Sequence, residues 1–323
     1  MILRLILKRL ALSVPLLLGI SVLTFAILHL APGGPVLAQA SLNPRISPDS
    51  VREMRQLYGL DEPVAAQYWK WLSRLARFDL GVSFKDRRPV SARVLEALPG
   101  TLLLSVLGFL IAYGVGVPLG AWSAARGGGA LDHGITLLSF IAYSLPSFVL
   151  ALALQSLLAA SWGWLPISGM LSPWSAYQPW WRQLPDLLWH LVLPVTVTAF
   201  GSWVATAQFM RNSLLEALTQ DYIRTARAKG LSQGAVLRRH ALPNALLPLI
   251  TLLGLQLPGL IGGSFIIESL FAWPGMGRLG YEAAINYDYP VVMGVAFMGA
   301  LLTVLGNLLA DVGYALIDPR VRY

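Results

Sequence analysis

Six predominantly apolar stretches alternate with polar segments along this chain, and their lengths carry the first reading. The first, residues 10–30, is long enough for a helix to cross about 30 Å of hydrocarbon. A secretory leader has an apolar region of only roughly 7–15 residues. The run therefore reads as a retained transmembrane helix, preceded by Arg4, Lys8 and Arg9. Residues 31–98 are polar enough to lie outside the bilayer. Within them, Ser47-Pro48-Asp49 and Gly59 bracket one expected helix, and Asp61-Glu62-Pro63 opens a second that runs to about Arg77. Further apolar stretches occupy residues 101–124, 133–160, 187–210, 245–267 and 291–316. The second span contains Gly116 and Gly120, four residues apart, and reads as a glycine-tolerant membrane helix with no dedicated partner. The third follows the turn Arg126-Gly127-Gly128-Gly129 and carries Pro146 at its middle, where a kink is expected. The fifth is interrupted by Pro248, Gln256 and Pro258. Six tryptophans between 161 and 189 mark a segment at headgroup depth.

The polar interruption at residues 211–243 differs from the other loops. It holds six cations (Arg211, Arg224, Arg227, Lys229, Arg238, Arg239) against Glu216 and Asp221. Its pattern predicts two short helices around a glycine. The first is capped near Asp221 and stopped by Gly230; the second starts near Ser232 and ends before Pro243. Helices this short are marginal alone in water, so they must lie against something.

Composition agrees with a polytopic membrane protein: 56% of the 323 residues are hydrophobic and 12% charged, against about 25% charged in a soluble domain. The net charge of +8 falls at segment ends and loops, as membrane orientation demands, and no basic run with interleaved aromatics points to nucleic acid. With both termini in the cytoplasm, Arg126, the basic 211–243 stretch, Arg320 and Arg322 all face inward, where cations belong. Ten Lys or Arg in residues 31–98 run against that rule, which weakens for loops beyond about 60 residues. There is no cysteine, which excludes thiolate chemistry. No phosphate-cradling Gly-x-x-x-x-Gly-Lys-Ser/Thr loop, His-Glu-x-x-His or Gly-x-Ser-x-Gly occurs. The span interiors lack the carboxylates and histidines of a proton relay. The chain reads as a conduit whose energy comes from elsewhere.

The residues at 222–243 then resemble a known family, the membrane permease subunits of binding-protein-dependent ABC importers, and more narrowly the B-type permease of the dipeptide/oligopeptide/nickel group. That family's cytoplasmic signature is Glu-Ala-Ala, three residues, Gly, nine residues and Ile-x-Leu-Pro. Here Ala226 stands at the second alanine, Gly230 at the glycine and Leu242-Pro243 at the end. Arg224 and Thr225 occupy the glutamate and first alanine positions, and His240 replaces isoleucine. Phrases at 30–35 (LAPGGP), 58–68 (YGLDEPVAAQY), 78–83 (FDLGVS), 143–148 (YSLPSF), 162–169 (WGWLPISG), 266–284 (IIESLFAWPGMGRLGYEAA) and 317–323 (IDPRVRY) resemble the same branch, in order.

The resemblance implies an all-α integral membrane protein with six transmembrane helices and both termini cytoplasmic. It divides into residues 1–30 with the first span, an extracytoplasmic helical segment at 31–98, and a permease core at 99–323 with five spans. Residues 211–243 would dock on a cytoplasmic ATPase through Tyr222, Ile223, Arg224, Ala226, Arg227, Gly230, Leu242 and Pro243, with Val236 and Leu237 adding apolar contact. The chain would bind no cofactor itself; ATP and Mg are used by two separate ATP-binding subunits. A second homologous permease subunit, an extracytoplasmic substrate-binding protein and the bilayer complete the partners, in a bacterial or archaeal cytoplasmic (inner) membrane. Pro146, Gln256 and Glu268 are the candidates for the translocation path. Peptides are the favoured substrates, with nickel or another small solute as the alternative, and an independent secondary transporter as the reading outside the family.

Overall fold

A computed structural model describes residues 2–30, 61–256 and 259–317. The expected helix at 47–59 and Pro258 lie outside those residues. The described residues are helical apart from loops, with one isolated antiparallel bridge between Val82 and Pro89. Among the described residues, four helices are long and apolar enough to cross a membrane, at Ile6–Ile27, Val90–Arg126, Trp180–Thr219 and Tyr289–Gly313. Asp132–Ser144 and Ser147–Ser161 form a pair bent by 104°, which makes a fifth if it counts as one span. The chain divides into two compact units.

The first unit gathers Met1–Thr101, Ile261–Phe265 and Pro274–Tyr323. It contains α1 (Ile2–Leu30), α2 (Val64–Leu75), the first turns of α3 (Val90–Arg126), and, near the C-terminus, Met276–Ile285 and Tyr289–Ile317. Phe25, Trp71, Leu75, Leu80, Val90, Val94, Met276 and Val291 form its buried core. Polar contacts tie α1 to its neighbours: Ser21 Oγ lies 2.8 Å from Tyr68 Oη of α2, and Arg9 Nε lies 2.9 Å from Asp311 Oδ2 of the Tyr289–Ile317 helix. The loop before α3 is tied down by Asp288, which is fully buried. Its carboxylate accepts from Ser83 Oγ at 2.5 Å and Phe84 N at 2.9 Å, and Arg93 Nη1 lies 3.4 Å away. A buried carboxylate is tolerable only with such donors. Asp288→Ala is therefore expected to cost about 2 kcal/mol and to open the 83–88 loop to limited proteolysis. Wild-type protease resistance would contradict this. Nearby, burial of Asp86 is outweighed by the Arg88 N–H and the charges of Arg93 and Arg88, which hold its carboxyl below the usual carboxylate range. Its contribution to stability is present at neutral pH and is lost only on acidification below about pH 4.

The second unit gathers Leu102–Leu260 and Ile266–Trp273. After the rest of α3 come α4 (Ala130–Ser144), α5 (Ser147–Leu154) with a π-helical extension at Gln155–Ser161, and α6 (Trp180–Thr219). Next are α7 (Asp221–Ala228), α8 (Gln233–Val236), a π turn at Leu237–Ala241 and α9 (Leu242–Gln256). The short helices α10 (Gly259–Gly262) and α11 (Phe265–Leu270) follow, and the Met276–Ile285 and Tyr289–Ile317 helices of the first unit become α12 and α13.

Three sequence expectations change here. Pro146 does more than kink the third span. It pushes Leu145 into extended backbone (φ −96°, ψ 118°) and starts a new helix, so the chain turns by 104°. The fifth expected span is not one continuous helix: Gly263, at φ +63°, and Ser264 leave the helix between α10 and α11. Gly116 and Gly120 do have a dedicated partner. Together with Gly108 they form the face of α3 that meets α6: a Cβ on Gly116 would lie 2.6 Å from the Trp203 carbonyl oxygen, and one on Gly120 would run into that of Ala207. Small residues there allow the two backbones to touch. α6 stays one helix through Pro185 and Pro194. Neighbouring helices keep such prolines tolerable in membrane helices.

Candidate functional site

The 211–243 stretch begins inside α6, which remains helical nine residues past the expected end of its span. Gln220 ends it by adopting extended backbone (φ −70°, ψ 152°) and serves as the N-cap position of α7. Asp221, expected as the cap, is instead the first helical residue. Its carboxylate acts on the positive end of the short helix, as Arg227 does on the negative end.

α7 ends as its sequence dictates. Gly230 takes φ +79°, a left-handed conformation in which a side chain is strained. Its N–H donates to Arg227 O at 2.9 Å, and Leu231 N donates to Ala226 O at 3.4 Å. This pair of bonds is the Schellman closure, which satisfies carbonyls that the helix end would leave bare. The chain then turns through Ser232 into α8. The second helix does not end before Pro243. It passes through the Leu237–Ala241 π turn directly into α9, whose second residue is Pro243.

One face of α7 is buried. Ile223 and Ala226, three residues apart, pack with Met210, Leu214 and Ala217 of α6 and with Val236, Ala241, Ala245 and Leu249. Leu237 and Leu242 lie half-buried against the same cluster. This corrects the expectation that Ile223, Ala226, Val236 and Leu237 offer apolar contact to a partner; they hold the helices onto their own chain. The outward face is Tyr222, 41% exposed, with Arg224, Arg227, Lys229, Gly230, Leu231 and Pro243. Arg224 Nη1 lies 3.3 Å from Asp221 Oδ1, an exposed contact of little energetic weight. Arg211 is removed from this face, because its guanidinium binds Asp132. Five exposed cations remain against Glu216 and Asp221. The product is a small basic knob with an aromatic at its edge, packed from behind against its own chain.

The three path candidates have separate surroundings. Pro146 is exposed at the break between α4 and α5, and Gln256 is exposed at the end of α9. Glu268 is fully buried in α11, next to Ile267, which packs with Phe271 and Trp273 in a buried cluster. Gln155 donates to the carbonyls of Ile167 at 2.8 Å and Leu270 at 3.1 Å, so it ties the tryptophan-rich loop to α11. Among the described residues, no three His, Asp or Glu side chains gather in a way that holds a metal ion. Sequence reasoning missed Asp132. The available signal was an acid just after three glycines at the head of an apolar run, where a charge needs a partner.

Residues 116–323 match the family "Binding-protein-dependent transport system inner membrane component", and residues 2–105 match its companion "Binding-prot-dependent transport system membrane comp, N-term". The oligopeptide transport system permease protein AppB of Bacillus subtilis (strain 168) is 40% identical over 98% of this chain and 99% of its own. The putative peptide permease protein of Brucella suis biovar 1 (strain 1330) is 38% identical, and the dipeptide transport system permease protein DppB of Escherichia coli (strain K12) is 36% identical, each over 99% of both chains.

Proposed function

Because the chain belongs to the family of binding-protein-dependent transport system inner membrane components, we propose that it forms half of the path by which an ATP-driven importer moves peptides across a bacterial or archaeal cytoplasmic membrane. A transport subunit of this family works with ATPase and binding-protein partners in the inner membrane. The finer arrangement proposed is six spans with both termini cytoplasmic, an extracytoplasmic segment at 31–98, and a permease core at 99–323. A second homologous permease subunit completes the path, and two cytoplasmic ATP-binding subunits use ATP and Mg.

The observation that carries this reading is the basic knob at α7 and α8. Its apolar side is consumed by its own chain, its polar side is presented, and Gly230 fixes the turn between them. Binding of nucleotide moves a protein only through differential affinity for two states, and this knob is the handle through which an ATPase reaches the chain. Docking rests on Tyr222, Arg224, Arg227 and Gly230 at the surface, with Ile223, Ala226, Leu242 and Pro243 supporting them. Pro146, Gln256 and Glu268 are proposed for the path, with the break at Pro146 as the place where it opens.

The test is capture of the ATPase subunits by the purified chain. Tyr222→Ala leaves the cluster beneath untouched, so thermal stability in detergent is expected to stay within about 0.5 kcal/mol. ATPase affinity is expected to fall by about 2 kcal/mol, roughly thirtyfold. Gly230→Asp acts in the same direction by straining the turn. Unchanged capture and uptake in both variants would remove the docking assignment. Transport by the chain with no ATPase present would make it an independent transporter instead. Competition between peptides and nickel for the binding protein decides the substrate; the similarity to an oligopeptide and a dipeptide transport system permease protein favours peptide.

A further inference from the structure

Charged groups of the second unit meet at one place that the docking surface does not use. Asp132, in the first turn of α4, is buried, and both its oxygens are saturated. Oδ1 accepts from Ser123 Oγ at 2.7 Å and from Arg211 Nε; Oδ2 accepts from Arg211 Nη2 at 3.0 Å and from Gly128 N at 3.2 Å. One carboxylate thus joins the end of α3, the glycine turn, the start of α4 and the shaft of α6.

We propose that the Asp132–Arg211 pair is the tie that carries displacement of α7 and α8 into α4 and the break at Leu145–Pro146, and so couples ATPase turnover to opening of the path. This rests on the importer reading given above. Three observations lead to it. First, Arg211 follows Met210 in α6, and Met210 and Leu214 share one buried cluster with Ile223 and Ala226 of α7, so a displacement of α7 reaches the turn of α6 that carries Arg211. Second, the contact is two-pronged. Apolar packing is non-directional and can slide by rotamer changes, whereas a fork-to-carboxylate contact fixes orientation as well as distance. Third, α4 leads from Asp132 to Ser144, about 18 Å along its axis, and ends at the 104° turn. Both α4 and α5 pack on α6, so a shift of α4 along α6 is felt at the break between them.

A merely structural pair would hold the fold together without affecting the exchange ratio, and that difference is measurable. The complete transporter, with its ATPases and binding protein, is placed in proteoliposomes, and ATP hydrolysis and peptide uptake are measured on one preparation. Asp132→Asn and Arg211→Gln are expected to assemble and to hydrolyse ATP near the wild-type rate. Uptake is expected to fall so that ATP used per substrate rises by about tenfold, within the usual range of coupling between sites. Hydrolysis and uptake falling in the same proportion, or both unchanged, would overturn the proposal. As a second variant, this cysteine-free chain accepts Asp132→Cys with Arg211→Cys, bridged by a short bis-thiol-reactive cross-linker. Bridging is expected to restore the wild-type ratio that the unbridged protein has lost; the same ratio before and after overturns the tie. Failure of the single and double variants to assemble assigns the pair to stability and also overturns it. A wild-type transporter showing no ATP-dependent uptake would instead sink the importer reading, which is a distinguishable result.

Discussion

Replacing Gly120 with leucine is expected to abolish the folded protein. A Cβ at this position would run into the Ala207 carbonyl oxygen and lie 2.9 Å from Met210 Cβ. A side chain can rotate away from an intruder; a helical carbonyl cannot without breaking its own hydrogen bond. Overpacking usually costs 1–3 kcal/mol, and a backbone neighbour places this case above about 3 kcal/mol. Opening α3 from α6 at Gly120 also loosens the contacts at Gly116 and Gly108, about 6 and 18 Å away along α3. The measurement is the yield of monodisperse protein in detergent and its thermal unfolding midpoint, with Gly114→Leu as the control. Gly114 lies on the same helix with nothing within 4 Å of a built Cβ, and its leucine variant should behave as wild type. Equal behaviour of the two variants would show that the glycine face does not hold the helices together.

Ile223→Asp is expected to detach α7 from the chain and with it all ATPase capture. Ile223 is fully buried among Leu214, Ala226 and Val236. Removing its side chain alone costs 2–5 kcal/mol, and the carboxylate that replaces it has no donor in that cluster, so roughly 4 kcal/mol or more is lost. A helix of eight residues has no stability of its own to resist this. Hydrogen exchange over residues 221–228 should lose protection, while protection of α3 is retained. Arg224→Ala, one position along and outward-facing, should change stability by less than about 0.5 kcal/mol. The contrast between adjacent residues is the point. Protected α7 amides in Ile223→Asp would show that the buried face is not what holds the helix.

Adjacent positions also show where sequence reading stops. Tyr222, Ile223, Arg224 and Ala226 are legible together as one short helix, but not as a buried face and an exposed one. Eight residues hold barely two helical turns, too few for apolar periodicity to tell a face turned to its own chain from one turned to a partner. Asp132 and Asp288 show the same limit over longer distances. Asp132 lies 79 residues from Arg211, and Asp288 lies 205 from Ser83. Pairing across such separations follows from helix packing, which no local pattern encodes.

The sequence by itself determined what depends on local chemistry. Apolar run length decided that helices of this chain belong in a membrane, since hydrocarbon thickness sets a minimum length. The polar interruption at 211–243 with Gly230 decided a short helix that stops and turns there, since only a residue without Cβ enters the left-handed turn freely. Pro146 decided that the third run could not be a straight helix. The tertiary structure alone decided how far the break at Pro146 turns, that Gly116 and Gly120 serve α6, and that Arg211 faces Asp132 rather than solvent. It also decided that α7 is bound from behind by its own chain. Each of these is a choice of neighbour. Neighbours are chosen by the fit of whole helix faces, where backbones can approach and buried charges can be matched, and that fit exists only once the chain has folded.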